Sequence, residues 1–226
     1  MKLMIIDTAL GLCTAGVFEV AGSGVRERGL RSEPMTKGHS ERIAGFARDA
    51  AQQAGLAFGQ LDRIGVTVGP GSFTGLRVGL AFAQGLGAAL GRPVVGVSAL
   101  DGLAASAPAA HAVAALIDAR RGQVYARFWR DGQAEGEPEA LTLDAAGARI
   151  EALGPGVVLV GSGAALFADV APGLQRMGLD GPSPEALARL AADADPALAP
   201  ARPVYLRAPD ATPPTRLPGQ ARAPRP

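Results

Sequence analysis

Two kinds of hydrophobic pattern alternate along this chain. Short apolar runs rich in valine and isoleucine, at residues 3–6, 13–20, 64–68, 94–97, 113–117, 123–129 and 157–161, predict strands, and a further strand begins near Val25 after the turn at 21–24. Longer segments repeat at helical spacing. In 41–54, Ile43, Phe46, Ala47, Ala50 and Ala54 share one face, while Arg42, Arg48, Asp49 and Gln52 lie elsewhere. Helical patterns recur at 144–153 and 184–194. The first hundred residues therefore read β-β-β-α-β-α-β, an antiparallel meander that continues into α/β units.

The segment 73–90 departs from amphipathicity. Gly69-Pro70-Gly71 breaks the strand before it, Ser72 is placed to cap it, and Gly91-Arg92-Pro93 stops it. Its only charged or amide side chains are Arg77 and Gln84. Gly75, Gly79, Ala83 and Gly87 recur every four residues and form a smooth ridge. Each glycine costs roughly 1 kcal/mol against alanine in a helix, so close packing is the expected compensation. Two readings stand: a helix sandwiched inside its own domain, or one whose ridge meets a partner together with the 41–54 helix.

The order of elements starts again near Ala112. Ile6-Asp7 aligns with Ile117-Asp118, Gly11 with Gly122, and Ala15 with Ala126. Two copies of a ribonuclease-H-like β-β-β-α-β-α unit facing one another predict an α/β protein of the actin-like (ASKHA) fold, with units at 1–103 and 104–207. From Ala208 onward, six prolines and three arginines surround one apolar side chain larger than alanine, Leu217. Such a tail, 208–226, is expected to be disordered, because it buries too little to offset the entropy of ordering it.

Composition narrows the function. The net charge of +1, from 22 basic and 21 acidic residues, argues against nucleic-acid binding by charge alone. A single cysteine, Cys13, excludes a disulfide framework and reads as a small buried hydrophobe. No apolar stretch reaches the length of a membrane span on this reading, and a cytoplasmic protein is expected. The catalytic inventory is thin. No serine has glycine at both minus two and plus two, and the two histidines, His39 and His111, are far apart. The turn at 69–75 lacks the lysine and spacing of a P-loop. Asp7, closing the first strand, is the one candidate for nucleotide contact; a turn residue is the plainer alternative.

Asp7-Thr8, Gly38-His39-Ser40-Glu41, GPGSFTGLRVGLAFAQGLG at 69–87, DARRGQVY at 118–125 and PVYLR at 203–207 together resemble the bacterial TsaB family. The resemblance covers nearly all of residues 1–207. It implies a non-catalytic scaffold that pairs with and activates the related catalytic subunit TsaD, with the ATPase TsaE joining the complex. That complex modifies the adenosine beside the anticodon of certain tRNAs, so tRNA would be met indirectly. The catalytic relative holds a metal with a His-x-x-x-His segment, whose aligned positions here are Ala99 and Leu103. No tightly bound cofactor is therefore expected, and ATP or ADP only weakly or at a subunit interface. His39, Arg42, Ile43, Phe46, Leu76, Gly79, Leu80, Ala83 and Gly87 are the expected partner-binding residues, with a homodimer when the chain is isolated. The competing class is an actin-fold ATPase, kinase or peptidase-like enzyme with its own site.

Overall fold

The computed structural model describes residues 1–169 and 172–207. The first sheet contains β1 (Lys2–Asp7), β2 (Leu12–Ala21), β3 (Gly24–Pro34), β4 (Arg63–Gly69) and β5 (Val94–Ser98), in the order β3-β2-β1-β4-β5. The first three pair antiparallel, whereas β4 and β5 run parallel to β1. Parallel neighbours need crossovers, and α1 (His39–Gln53) and α2 (Phe73–Leu90) supply them.

The second sheet repeats the scheme with β6 (Ala112–Arg120), β7 (Gln123–Arg130), β8 (Gln133–Ala134), β9 (Glu139–Thr142), β10 (Val158–Val160) and β11 (Gln175–Met177). Its order is β11-β10-β6-β7-β8, with β9 also on β7. β6 and β7 pair antiparallel, and β10 and β11 run parallel to β6. The short β8 and β9 stand where β3 stands in the first sheet. This is the expected α/β architecture, two ribonuclease-H-like units in the actin-like arrangement.

Both faces of both central strands are covered. Met4 and Ile6 of β1 face α1 and α2, while Leu3 and Ile5 face α5 (Pro184–Asp193). Ala114 and Leu116 of β6 face α4 (Leu143–Leu153) and the 3-10 turn Ala164–Phe167, and Val113, Ala115 and Ile117 face α3 (Ala99–Ala105). The layers run α1 and α2, first sheet, α5 and α3, second sheet, α4. Strands buried on both sides lose polar alternation, which is why 3–6 and 113–117 read as continuous apolar runs.

Three features differ from the sequence reading. The helix α3 is seven residues long and has no amphipathic signature; Ser98 caps it by accepting the Asp101 N–H. The short strands β8, β9 and β11 carry no run long enough to detect. The chain from α5 onward returns to the first sheet, so residues 104–207 are not a self-contained unit. A methyl on Gly65 would come 2.6 Å from Ala191 Cβ, and Arg63 Nη1 donates to the carbonyls of Ala191, Ala192 and Ala194 at the end of α5. Residues 199–200 then lie along the edge strand β5, with Gly96 N–H on Ala199 O and a Val95–Pro200 bridge, and Val204 N–H reaches Val68 O of β4. The expected tail, 208–226, lies outside the described residues.

The helix α2 has the length and mean hydropathy of a membrane span, yet one whole side of it is seated on the first sheet. Ser72 Oγ accepts the Gly75 N–H at 3.2 Å to start it, and Gly91 ends it in the left-handed region at φ 62°. A Cβ on Gly75 would lie 2.1 Å from Thr8 O, whereas one on Gly85, on the outer side, would meet nothing within 4 Å. Gly75→Ala is expected to lower unfolding free energy by about 1–3 kcal/mol through overpacking. Gly85→Ala on the same helix should raise it by up to about 1 kcal/mol. Urea denaturation of the two variants checks the pair.

Candidate functional site

Asp7 closes β1 and is 1% exposed. Its Oδ1 accepts the Ala9 N–H at 2.9 Å, a turn that the Asp-Thr-Ala sequence forms locally. Burial pushes the carboxyl above the ordinary carboxylate range, opposed by the Ala9 N–H and then by the Thr67 hydroxyl, which stands near it without a hydrogen bond of good geometry. The loop that follows is sealed. Ser72 N–H donates to Ala9 O at 2.7 Å, Gly11 N–H donates to Asp180 O at 2.8 Å, and a Cβ on Gly71 would come 2.3 Å from Ala9 O. Cys13 lies nearby, its thiol pushed up to about 11 by burial first and then by the Asp7 and Glu33 carboxylates, so it stays protonated at neutral pH.

The counterpart of Asp7 in the second sheet is Asp118, which binds its own turn: its Oδ1 accepts the Arg120 N–H at 2.8 Å and its carboxylate pairs with Arg120 at 3.2 Å. Ala99 and Leu103, the positions that the resemblance matches to a His-x-x-x-His segment, are buried in the packing of α3 on the second sheet. Among the described residues, no group of three or more His, Cys, Asp or Glu side chains gathers in a metal-binding cluster.

The ridge on α2 requires a correction. Leu76, Gly79, Leu80, Ala83 and Gly87, expected at a partner surface, all face inward and are buried. Gly75 and Gly79 leave room for Thr8, whose hydroxyl donates to Gly75 O at 2.7 Å; Gly87 leaves room for Val94. The small side chains let a helix approach a strand end, not another helix. On α1, His39, Ile43 and Phe46 are likewise buried, and Arg42 stays at the surface, paired with Glu33 at 3.2 Å and 5.0 Å from the Phe46 ring centre.

Turning the ridge inward turns the remaining apolar side of α2 outward. Phe73, Thr74, Arg77, Val78, Ala81 and Phe82 line an open groove of about 490 Å³, with Ser40, Ile43 and Ala44 of α1 as its other wall. Phe73 is 47% exposed. The Arg77 guanidinium lies 3.7 Å from the Phe73 ring centre, and its Nε donates to the Tyr205 hydroxyl at 3.3 Å. The Phe73 and Tyr205 rings are 5.4 Å apart and tilted by 35°. Apart from Ile43, already a candidate, these groove residues escaped sequence reading. The signal was present: in a helix apolar all round, whatever does not face the sheet must face outward.

Asp7 yields a pH-dependent expectation. A folded-state pKa raised above the unfolded value of about 4 means that the ionised carboxylate destabilises the fold, a penalty absent below both values and complete above both. Asp7→Asn keeps an acceptor for Ala9 N–H and removes that charge. Its melting temperature should exceed that of the parent at pH 8, with the gap closing as pH falls towards 4. Thermal melts across that range check it, and a gap that widens on acidification would contradict it.

Comparison with known proteins follows the same lines. The family model described as TsaD, tRNA N6-adenosine threonylcarbamoyltransferase, matches residues 23–150. An uncharacterized protein of Mycobacterium tuberculosis is 36% identical over 215 residues, covering 93% of this chain and 94% of that one. The tRNA threonylcarbamoyladenosine biosynthesis protein TsaB of Escherichia coli is 33% identical over 135 residues, 58% of this chain and 56% of that one. The chain thus spans little more than half of that relative, and the same share of a Mycobacterium leprae relative. The structure of YeaZ from Pseudomonas aeruginosa superposes with a TM-score of 0.69 at 29% identity, covering 91% of this chain and 99% of that one. The chain belongs to the threonylcarbamoyltransferase family, on its TsaB (YeaZ-like) branch.

Proposed function

We propose that this chain is the non-catalytic scaffold of the complex that transfers a threonylcarbamoyl group to N6 of the adenosine beside the tRNA anticodon. It pairs with and activates the transferase TsaD through the outward face of α1 and α2; TsaE joins the complex, and tRNA is met through it. The observation that carries this reading is the open apolar groove between the two helices, which a soluble monomer has little reason to keep bare. Two further features support it. The family match to the transferase spans 23–150 and so includes both helices, which gives the transferase counterparts of α1 and α2. Related chains that present like faces can pair about a two-fold axis, as identical chains do, and the isolated chain would form a homodimer through the same face. The sealed loop around Asp7 supports a subunit without a tightly held nucleotide or metal, leaving ATP or ADP to weak or interfacial sites. A cytoplasmic location follows from that role.

The test places a charge in the groove without touching the ridge. Ala81 is exposed, so Ala81→Arg should leave the melting temperature unchanged while binding to the transferase weakens by about a hundredfold or more, since an unpaired charge would be trapped in a dry contact. Calorimetric titration reads the affinity, and mass spectrometry of nucleosides from a complemented deletion strain reads tRNA modification. Normal affinity and modification in the folded variant would refute the reading. So would ATP-dependent turnover by the chain alone.

A further inference from the structure

We infer that the docking face extends beyond the two helices onto the segment 199–207, with Tyr205 as an anchor in the contact with the transferase subunit. The inference rests on the pairing proposed above and adds a residue that no local pattern connects to it.

The segment itself is held by groups other than the Tyr205 ring. Its backbone bonds to β4 and β5 through Val204 N–H, Ala199 O and the Val95–Pro200 bridge, and Gln84 Nε2 donates to Ala201 O at 2.7 Å. Arg207 Nη1 donates to Ala119 O at 3.0 Å, which fixes the far end on the last residues of β6. With the strap tied at both ends, the ring is not needed to hold it, and it is left 44% exposed. It lies beside Phe73, which is 47% exposed, so two exposed aromatic rings meet at one spot. That spot is continuous with the groove, because Phe73 and Arg77 belong to both.

Its chemistry matches that of residues that dominate binding energy: a tyrosine and an arginine stacked with a second aromatic ring, beside an apolar groove. The arginine also indicates what the partner must offer. Arg77 pairs with no carboxylate among the described residues; its guanidinium is stacked and donates one hydrogen bond to the Tyr205 hydroxyl. A guanidinium has five N–H donors, so a carboxylate or a helix-terminal carbonyl on the transferase could be taken by the rest. The fitting surface is an apolar helix ridge that ends in such an acceptor.

The experiment compares Tyr205→Ala, Tyr205→Phe and Ala81→Arg by titration against the purified transferase of the same organism. Tyr205→Ala should weaken binding tenfold or more, and Tyr205→Phe, which keeps the ring, by no more than threefold. If Tyr205→Ala binds within twofold of the parent while Ala81→Arg fails, the segment lies outside the contact and the inference falls alone. If Ala81→Arg also binds normally, the underlying pairing falls with it. Should Tyr205→Ala lose stability, tyrosine nitration of the unmodified chain decides. Tyr205 should be protected in the complex relative to the free chain, and equal labelling would overturn the inference.

Discussion

The close seating of α2 on the first sheet determines most of what the molecule presents. With no side chain at Gly75 and Gly79, the helix drops onto the end of β1 until the Thr8 hydroxyl bonds into its first turn. Dispersion contacts are short-ranged, so the approach makes up for glycines that are poor helix formers only if it is close along the whole length. Gly87 against Val94 completes it at the other end. The same descent brings Ser72 onto Ala9 and seals the loop around Asp7. An inward ridge and a closed strand end are therefore one event, and the outward apolar groove is its geometric remainder.

The actin-like plan puts two sheets around a shared middle layer, and here that layer is divided unevenly. α3 belongs by sequence to the first repeat yet packs on the second sheet, whereas α5 belongs to the second repeat and packs on the first. Arg63 reinforces the exchange by placing a cation on the carbonyl end of α5, where the helix dipole favours it. Each repeat thus holds a helix that covers the other, which makes the sheets hard to separate.

Much of this was legible in the sequence. The strands with β-branched runs, the capped ends of α2 and the amphipathic α1 all form where the pattern places them, because local propensity and burial agree there. The direction of the glycine ridge was not legible. A stripe of small residues reports that something comes close, and a strand end satisfies it as well as a second helix does. α3 was missed because seven residues, about two turns, are too few to show a periodicity. Tyr205 was visible within its motif, but nothing local ties it to Arg77 across 128 residues. Only the folded chain brings them together.

The placement of α5 also bears on how the protein is made. Synthesis is vectorial, and domains tend to fold as they emerge. β1 to β5 are all synthesised by residue 98, yet the helix that covers their inner face begins at Pro184. For the whole passage of the second sheet, Leu3, Ile5, Val95 and Val97 have no helix over them. The nascent first half is thus a sheet with one clothed and one bare side, the kind of surface that chaperones hold, and its completion waits on the last helix of the described chain.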